Sequence, residues 1–228
     1  MEPAPRPPNL AMDHRTGNSP SWYHAQKKSL QALERDPWKR AVFVAEQAGV
    51  DADALVVLDE FGSNLDLTRR FGRSARGTRL KESIPHGTPQ NTSTIASITS
   101  TGIGPALVLN GSVTRPSFET YLEQVLGPTL RPGQVIVLDN ARIHHGGRVE
   151  AIIAARGCRI WYLPPYSPDF SPIELAFAKV KGELRRLKAR TTEALERAIA
   201  FALSCITGAD ARAFFAHCGY PLWPIRDQ

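Results

Sequence analysis

Three short runs of apolar residues stand out along the chain, each bounded by polar or turn-forming residues. They cover residues 54–59 (ALVVLD), 135–139 (VIVLD) and 159–163 (RIWYL). Runs of this length predict strands that are buried on both faces, as in a sheet covered by helices. Two segments rich in Thr, Ile and Val, at 92–101 and 105–109, predict a β-hairpin.

Helical periodicity fills the intervals between these strands. Apolar residues spaced three or four apart predict helices over 116–126, 148–156, 172–188 and 192–205. Asp36 followed by Pro37 predicts a further helix start, with Gly49 as its stop. The pattern therefore predicts an α/β domain over 54–205.

The flanking segments predict a different organisation. The first 20 residues contain five prolines and few large apolar side chains, which predicts a disordered tail at 1–20. Residues 21–53 are interpreted as a helical linker. Residues 206–228 are interpreted as a C-terminal tail.

Composition excludes several classes of protein. The chain has 228 residues, of which 42% are hydrophobic and 22% charged, so a fully disordered chain is excluded. No apolar run reaches the length of a membrane-spanning helix, and no secretory signal precedes the first strand, so no membrane partner is expected. Three scattered cysteines without a C-x-x-C pair argue against a structural zinc site and favour a reducing, cytoplasmic compartment.

The formal net charge of +6 is concentrated in two basic runs. Residues 69–81 carry six basic side chains and no acidic one, and residues 179–190 carry six against a single glutamate. A phosphate backbone requires such clustering, although a solvated surface produces the same pattern. The residues predicted to contact DNA are Arg69, Arg70, Arg73, Arg76, Lys179, Lys181, Arg185 and Arg186.

Two of the predicted strands end in an aspartate, Asp59 and Asp139. If the strands are parallel neighbours, both carboxylates lie at one sheet edge, where a shared proton, a basic partner or a divalent metal must offset their repulsion. The alternative for each is an ordinary turn residue. Glu174 either forms a capping box with Ser171 or completes a triad of carboxylates. Such a triad suits two Mg²⁺ or Mn²⁺ ions.

Four other residues near these acids carry open interpretations. Asn140 either orients the second aspartate or a metal-bound water, or only forms a turn. His144 is a candidate contact for the scissile phosphate or a metal-bound water. Period-two alternation places Glu60 on the opposite face of its strand from the first aspartate, which favours a structural role. Tyr166 is a candidate for base stacking, but packing against the core is the favoured interpretation.

The residues around the acids resemble a known family. The segments VIVLDNARIHH (135–145), IWYLPPYSPDFSPIEL (160–175) and LVVLDEFGSNLDLTRRFGRSARG (55–77) resemble the catalytic domain of the Tc/mariner transposase superfamily. Within it they are most similar to the bacterial insertion-sequence transposases of the IS six-thirty type. The resemblance covers about residues 25–190.

This resemblance implies a ribonuclease H-like fold with a mixed five-stranded sheet flanked by helices. It implies that Asp59, Asp139 and Glu174 form a DDE triad that binds two Mg²⁺ or Mn²⁺ ions. The implied activity is cleavage of transposon-end DNA and strand transfer into target DNA, by a homodimer acting on the nucleoid in a bacterial cytoplasm.

Two departures from the family pattern affect these expectations. Ser171 stands where the family usually has Asn, and both residues cap helices well. Family members carry helix-turn-helix modules ahead of the catalytic domain, and too few residues precede position 54 to form them. We therefore expect the catalytic half of a split or truncated transposase, with a separate helix-turn-helix chain as a partner. The alternatives are a non-catalytic DNA-binding or dimerisation remnant that modulates an intact transposase, and a nuclease acting on RNA–DNA hybrids.

Overall fold

A five-stranded sheet with the strand order β3-β2-β1-β4-β5 lies at the centre of the fold. The computed structural model describes residues 32–85 and 91–222, so the predicted disordered tail at 1–20 lies outside the described residues. The strands are β1 (Leu55–Ser63), β2 (Thr92–Thr99), β3 (Gly102–Asn110), β4 (Val135–Leu138) and β5 (Arg159–Tyr162). β1, β2 and β3 are antiparallel neighbours, whereas β4 is parallel to both β1 and β5. The sheet is therefore mixed, as expected, and β2 and β3 form the predicted hairpin.

Helices cover both faces of this sheet. They are α1 (Pro37–Gln47), α2 (Arg115–Thr120), α3 (Val149–Ala154), α4 (Pro172–Leu187), α5 (Thr192–Ser204) and α6 (Gly208–His217). The helix predicted over 116–126 forms as α2 and continues as a π-helix, Tyr121–Leu126. Within the described ranges, no single helix is long and apolar enough to cross a membrane, and α5 and α6 meet that test only as a pair bent by 75°.

Alternate residues of the central strands enter two separate cores. Leu55 and Val57 of β1 belong to the core that contains α1, α4, α5 and α6. Val56 and Leu58 belong to the core that contains α2, the π-helix and α3. Because both faces of the strand are buried, its apolar residues are consecutive. The same alternation directs Asp59 to the α4 face of the sheet and Glu60 to the α2 face.

α1 is part of this domain, although the sequence placed it in a linker. The Asp36 carboxylate caps the helix by accepting the N–H groups of Trp38 and Lys39, as its position before Pro37 predicted. Phe43 is buried, and its ring stacks on Trp161 and Phe170, with centroid separations of 4.2 and 4.9 Å. This aromatic packing extends the compact unit back to Glu34.

The segment from 206 onward is also more than a tail. It contains α6, whose Phe215 is completely buried, and Tyr220 follows with its hydroxyl donating to the Phe170 carbonyl at 2.9 Å. Thr207 and Asp210 form a capping box at the start of α6. The domain therefore continues beyond the boundary at 205 because these apolar side chains complete the core on the α4 face.

Candidate active site

Asp59 and Asp139 come together because β1 and β4 are parallel neighbours in register. Leu55 pairs with Val135 and Val57 with Val137, and the same register continued by two residues sets Asp59 beside Asp139. β4 ends at Leu138, whereas β1 continues to Ser63 by pairing with β2. Asp59 thus lies within a strand and not at its end, where the sequence placed it, and Asp139 lies just beyond the end of β4.

Glu174 reaches the same place from the first turn of α4. It lines a cavity of about 490 Å³ together with Asp59 and Asp139. The capping-box alternative for Glu174 is not formed, because the Ser171 N–H donates to the Pro168 carbonyl at 3.0 Å and the Ser171 side chain makes no cap bond. Glu174 is exposed, so its carboxylate is available to the cavity.

The Asp59 carboxyl holds its proton more tightly than an ordinary aspartate does. Burial is the largest cause that raises the pKa of Asp59 to about 7. The Glu60 N–H, which donates to Asp59 Oδ1 at 2.8 Å, opposes this rise, whereas the negative charges of Glu60, Asp139 and Glu174 add to it. Near neutral pH the cavity therefore carries negative charge that a proton or a cation must offset.

Asp139 is held in one orientation by two donors. Its Oδ1 atom accepts the Ala141 N–H at 2.9 Å and lies 2.6 Å from His144 Nδ1. Burial alone would raise the pKa of Asp139, but these hydrogen bonds outweigh it and lower the pKa below its usual value. The side chain is 49% exposed, so an ionised carboxylate faces the cavity.

His144 bridges two carboxylates. Its ring is completely buried, and its second nitrogen, Nε2, lies 3.2 Å from Glu60 Oε2. Burial alone would lower the pKa of His144, but the hydrogen bonds to Asp139 and Glu60 raise it to about 10. A buried imidazolium with both nitrogens engaged orients Asp139. Both ring nitrogens lie next to carboxylates, whereas the sequence suggested a contact with the scissile phosphate or a metal-bound water.

Sequence reasoning favoured a structural role for Glu60 but missed its link to the site. Its placement on the opposite face from Asp59 is as expected, but its partner is a histidine that reaches around the end of β4. Since β4 stops at Leu138, the turn Arg142–His144 places the imidazole within hydrogen-bond distance of both Asp139 and Glu60. The available signal was a second acid directly after Asp59, combined with a histidine shortly after Asp139.

The chain before Glu174 is held from two sides. Asn140 Nδ2 donates to the Leu163 carbonyl, which ties the end of β4 to the residues that follow β5. Asn140 thus positions the loop, a role distinct from those considered for it from sequence. On the other side, Arg35 and Arg40 of the α1 region both pair with Asp169, the latter at 2.6 Å. These contacts fix the loop that leads into α4.

Comparison with known proteins identifies the family of this chain. The sequence matches the DDE superfamily endonucleases over residues 54–196, more than half of the chain. The chain belongs to this family. No curated protein matched the DDE chain.

Solved structures show the same fold for this DDE domain. A Mos1 transposase paired-end complex with left transposon end matches with a TM-score of 0.70 and 13% identity, over 89% of this chain and 64% of that one. The catalytic domain of Mos1 mariner transposase matches with a TM-score of 0.57 and 11% identity, over 85% and 92% of the two chains. The ribonuclease H-like fold is thereby confirmed, and the DDE chain spans about 64% of the length of the Mos1 chain in the paired-end complex.

The three acids of the DDE domain fit a divalent cation. Carboxylate oxygens are the ligands that Mg²⁺ and Mn²⁺ prefer, and the raised pKa of Asp59 marks charge that a cation would offset. Across residues 32–85 and 91–222, no three His, Cys, Asp or Glu side chains are gathered closely enough to hold an ion by themselves. An open site of this kind leaves room for water and phosphate oxygens, which Mg²⁺ usually keeps.

Half of the predicted DNA-contacting residues lie on one exposed arm of the DDE domain. This basic arm, residues 69–81, lies between β1 and β2 in the sequence and contains Arg69, Arg70, Arg73 and Arg76, all exposed. The residues on either side of the arm contact the segment that follows α4. Arg190 donates to the carbonyls of Leu65 and Leu67 at 2.8 and 3.0 Å, and Lys188 pairs with Glu82 at 2.8 Å.

The other four predicted contacts lie on α4 and are partly used within the chain. Lys179 pairs with Asp210 of α6 at 2.8 Å, and Arg186 pairs with Glu183 at 2.7 Å. The ammonium group of Lys181 lies 5.8 Å from the centre of the Phe61 ring. Arg185 is half-buried. The arm therefore offers positive charge with fewer competing partners than α4 does.

Proposed function

We propose that this chain is the catalytic domain of a transposase that cleaves transposon-end DNA and joins it to target DNA. The observation that carries the proposal is that Asp59, Asp139 and Glu174 line one open cavity. Membership in the DDE endonuclease family and the fold of the Mos1 transposases support it. The exposed basic arm supplies positive charge for a phosphate backbone.

Each acid has a distinct role in this proposal. When bound at the triad, two Mg²⁺ or Mn²⁺ ions would activate the attacking water or 3′-hydroxyl and stabilise the leaving oxygen. Asp59 is the carboxyl that gives up a proton near neutral pH when it becomes a ligand. Asp139 is already ionised and oriented by His144. Glu174 presents its carboxylate from a helix whose entry loop is fixed.

The finer features of the proposal rest on the sequence. The motifs VIVLDNARIHH and PPYSPDFSPIEL support a bacterial element of the IS six-thirty type. A homodimer, a separate helix-turn-helix chain and a nucleoid-associated, cytoplasmic location stay predictions.

Metal-dependent DNA cleavage tests the proposed function. The full chain is incubated with labelled supercoiled plasmid in Mg²⁺, Mn²⁺ or EDTA, with and without a helix-turn-helix chain. We expect nicks that leave 3′-hydroxyl ends in either metal, none in EDTA and none from Asp139→Asn, because that change removes a ligand. Nicking by Asp139→Asn at the wild-type rate would overturn the triad. If the wild type binds DNA but does not nick it under any of these conditions, the result would favour the alternative of a non-catalytic, DNA-binding remnant.

Removing charge from the basic arm is expected to weaken DNA binding. The double variant Arg69→Ala/Arg73→Ala should lower the slope of log affinity against log salt by about two, because each phosphate contact contributes about one. The measurement is fluorescence anisotropy of a labelled duplex over a series of salt concentrations. Arg131→Ala/Arg159→Ala removes the same charge from the opposite end of β4 and β5 and is the matched control. Equal salt-dependence slopes for the two double variants would show that the arm does not contact the DNA backbone.

A further inference from the structure

Tyr166 stands at the mouth of the cavity that contains the three acids. It is one of the lining residues, and it is 59% exposed. The interpretation favoured from sequence, that this ring packs against the core, is therefore wrong. An aromatic ring that stays in water forgoes the burial that such side chains normally gain.

The backbone of Tyr166 is held in a conformation that non-glycine residues rarely adopt. Its φ is 52°, in the left-handed region. Three prolines flank it in the sequence PPYSP, and the Ser167 hydroxyl donates to the Pro165 carbonyl at 3.1 Å. Asn140 binds the Leu163 carbonyl at the start of the same loop. Strain of this kind persists only where the surrounding structure imposes it, and it is concentrated at functional sites.

An exposed ring on a hydrogen-bonded loop beside a catalytic cavity suits one class of ligand. The triad defines where the scissile phosphate must lie, so a nucleotide next to that phosphate comes within the ring's neighbourhood. Every base has a flat face on which an aromatic ring can stack, whatever the sequence. A ring on an already ordered loop also loses little conformational freedom when it stacks.

We propose that Tyr166 stacks on the base of the nucleotide that adjoins the scissile phosphate and so positions the strand for cleavage. This inference rests on the proposed function, because it takes DNA as the substrate of the cavity. It assigns the role to the ring and not to the hydroxyl. Tyr166→Phe is therefore expected to behave as the wild type.

Base stacking is measured directly with a fluorescent base. The probe is a short duplex that carries 2-aminopurine as its 3′-terminal nucleotide, the kind of end that the proposed cleavage leaves. Ca²⁺ replaces Mg²⁺ so that binding proceeds without cleavage. Wild type and Tyr166→Phe should quench the fluorescence severalfold, whereas Tyr166→Ala should bind the duplex by anisotropy yet leave it unquenched.

Cleavage kinetics give a second readout. At saturating DNA, Tyr166→Ala should lower the cleavage rate about tenfold, and Tyr166→Phe should restore it to within about twofold. Phe201→Ala, which removes a ring of similar exposure from α5, is the control and should leave both readouts unchanged. Wild-type quenching by Tyr166→Ala, or equal losses in the Ala and Phe variants, would overturn the stacking proposal. Failure of the proposed function would appear instead as metal-independent nicking or as nicking by Asp139→Asn.

Discussion

Asp59→Asn is expected to abolish metal-dependent cleavage and at the same time to stabilise the metal-free protein. Cleavage should fall by roughly a thousandfold, because losing this carboxylate weakens the binding of the metal ions that would stabilise transition-state charge. Stability should rise because burial and neighbouring carboxylates raise the pKa of Asp59 from near 3.8 to about 7. The expected gain in unfolding free energy at pH 8 in EDTA is about 2 kcal/mol, roughly half of the full linkage value for a partly solvated group.

The sign of this effect gives a pH test. The folded protein holds the Asp59 proton more tightly than the unfolded chain, so wild-type stability falls as pH rises from about 4 to about 7. In Asp59→Asn this contribution is absent. Urea unfolding in EDTA at pH 5 and pH 8 measures the difference, with Glu196→Gln on the exposed side of α5 as the control. An Asn variant that is less stable than the wild type at pH 8 would contradict the assignment.

His144→Ala is expected to lower both stability and activity. It leaves Glu60 and Asp139 without their shared cation, and losing hydrogen bonds between a buried cation and two partly exposed carboxylates costs about 2 kcal/mol. Cleavage should fall about 10- to 100-fold, the usual cost of losing a group that orients a metal ligand. Glu60→Gln keeps a hydrogen-bonding side chain and should mainly weaken Mn²⁺ binding, measured by electron paramagnetic resonance.

The stability contributed by His144 also falls with rising pH, but here the charged form of the side chain is the one that the fold favours. The folded pKa of His144, about 10, lies above its ordinary value, so the stabilisation is complete below about pH 6.5 and is lost as pH rises through 10. Unfolding in EDTA at pH 6, 8 and 10 should show a steeper decline in the wild type than in His144→Ala, which keeps only the contribution of Asp59. His145→Ala is the matched control, because that neighbouring ring stacks on Tyr162 instead of meeting the acids. Equal Mn²⁺ affinity in wild type and Glu60→Gln would show that the bridge does not orient the site.

The predicted strands followed from local pattern, because burial on both faces makes apolar residues consecutive. The triad was open on pattern alone and was assigned through the family resemblance. The length of β1 could not be predicted from the local pattern. Glu60, Gly62 and Ser63 are not an apolar run, and their strand conformation depends on pairing with β2. The bridge from Glu60 to His144 was missed for the same reason. It exists only once β4 has ended beside a longer β1.

α6 was missed although a signal was present. Thr207 and Asp210 have the spacing of a capping box, which marks a helix start. The helix has only ten residues, and Ala211 and Phe215 are buried by elements that are distant in sequence. The outward orientation of Tyr166 is likewise set by its loop, and a tyrosine between prolines does not by itself distinguish a buried ring from an exposed one.

The attachment of the basic arm to the end of α4 sets a length scale. Glu174 lies in the first turn of this helix, and Lys188, directly after its last turn, holds the arm through Glu82. A rise of about 1.5 Å per residue separates the two positions by about 21 Å along the helix. Duplex DNA advances about 3.4 Å per base pair, so this span corresponds to about six base pairs. Under the proposed function, we expect a footprint of the bound protein to extend about half a turn of DNA to one side of the cut.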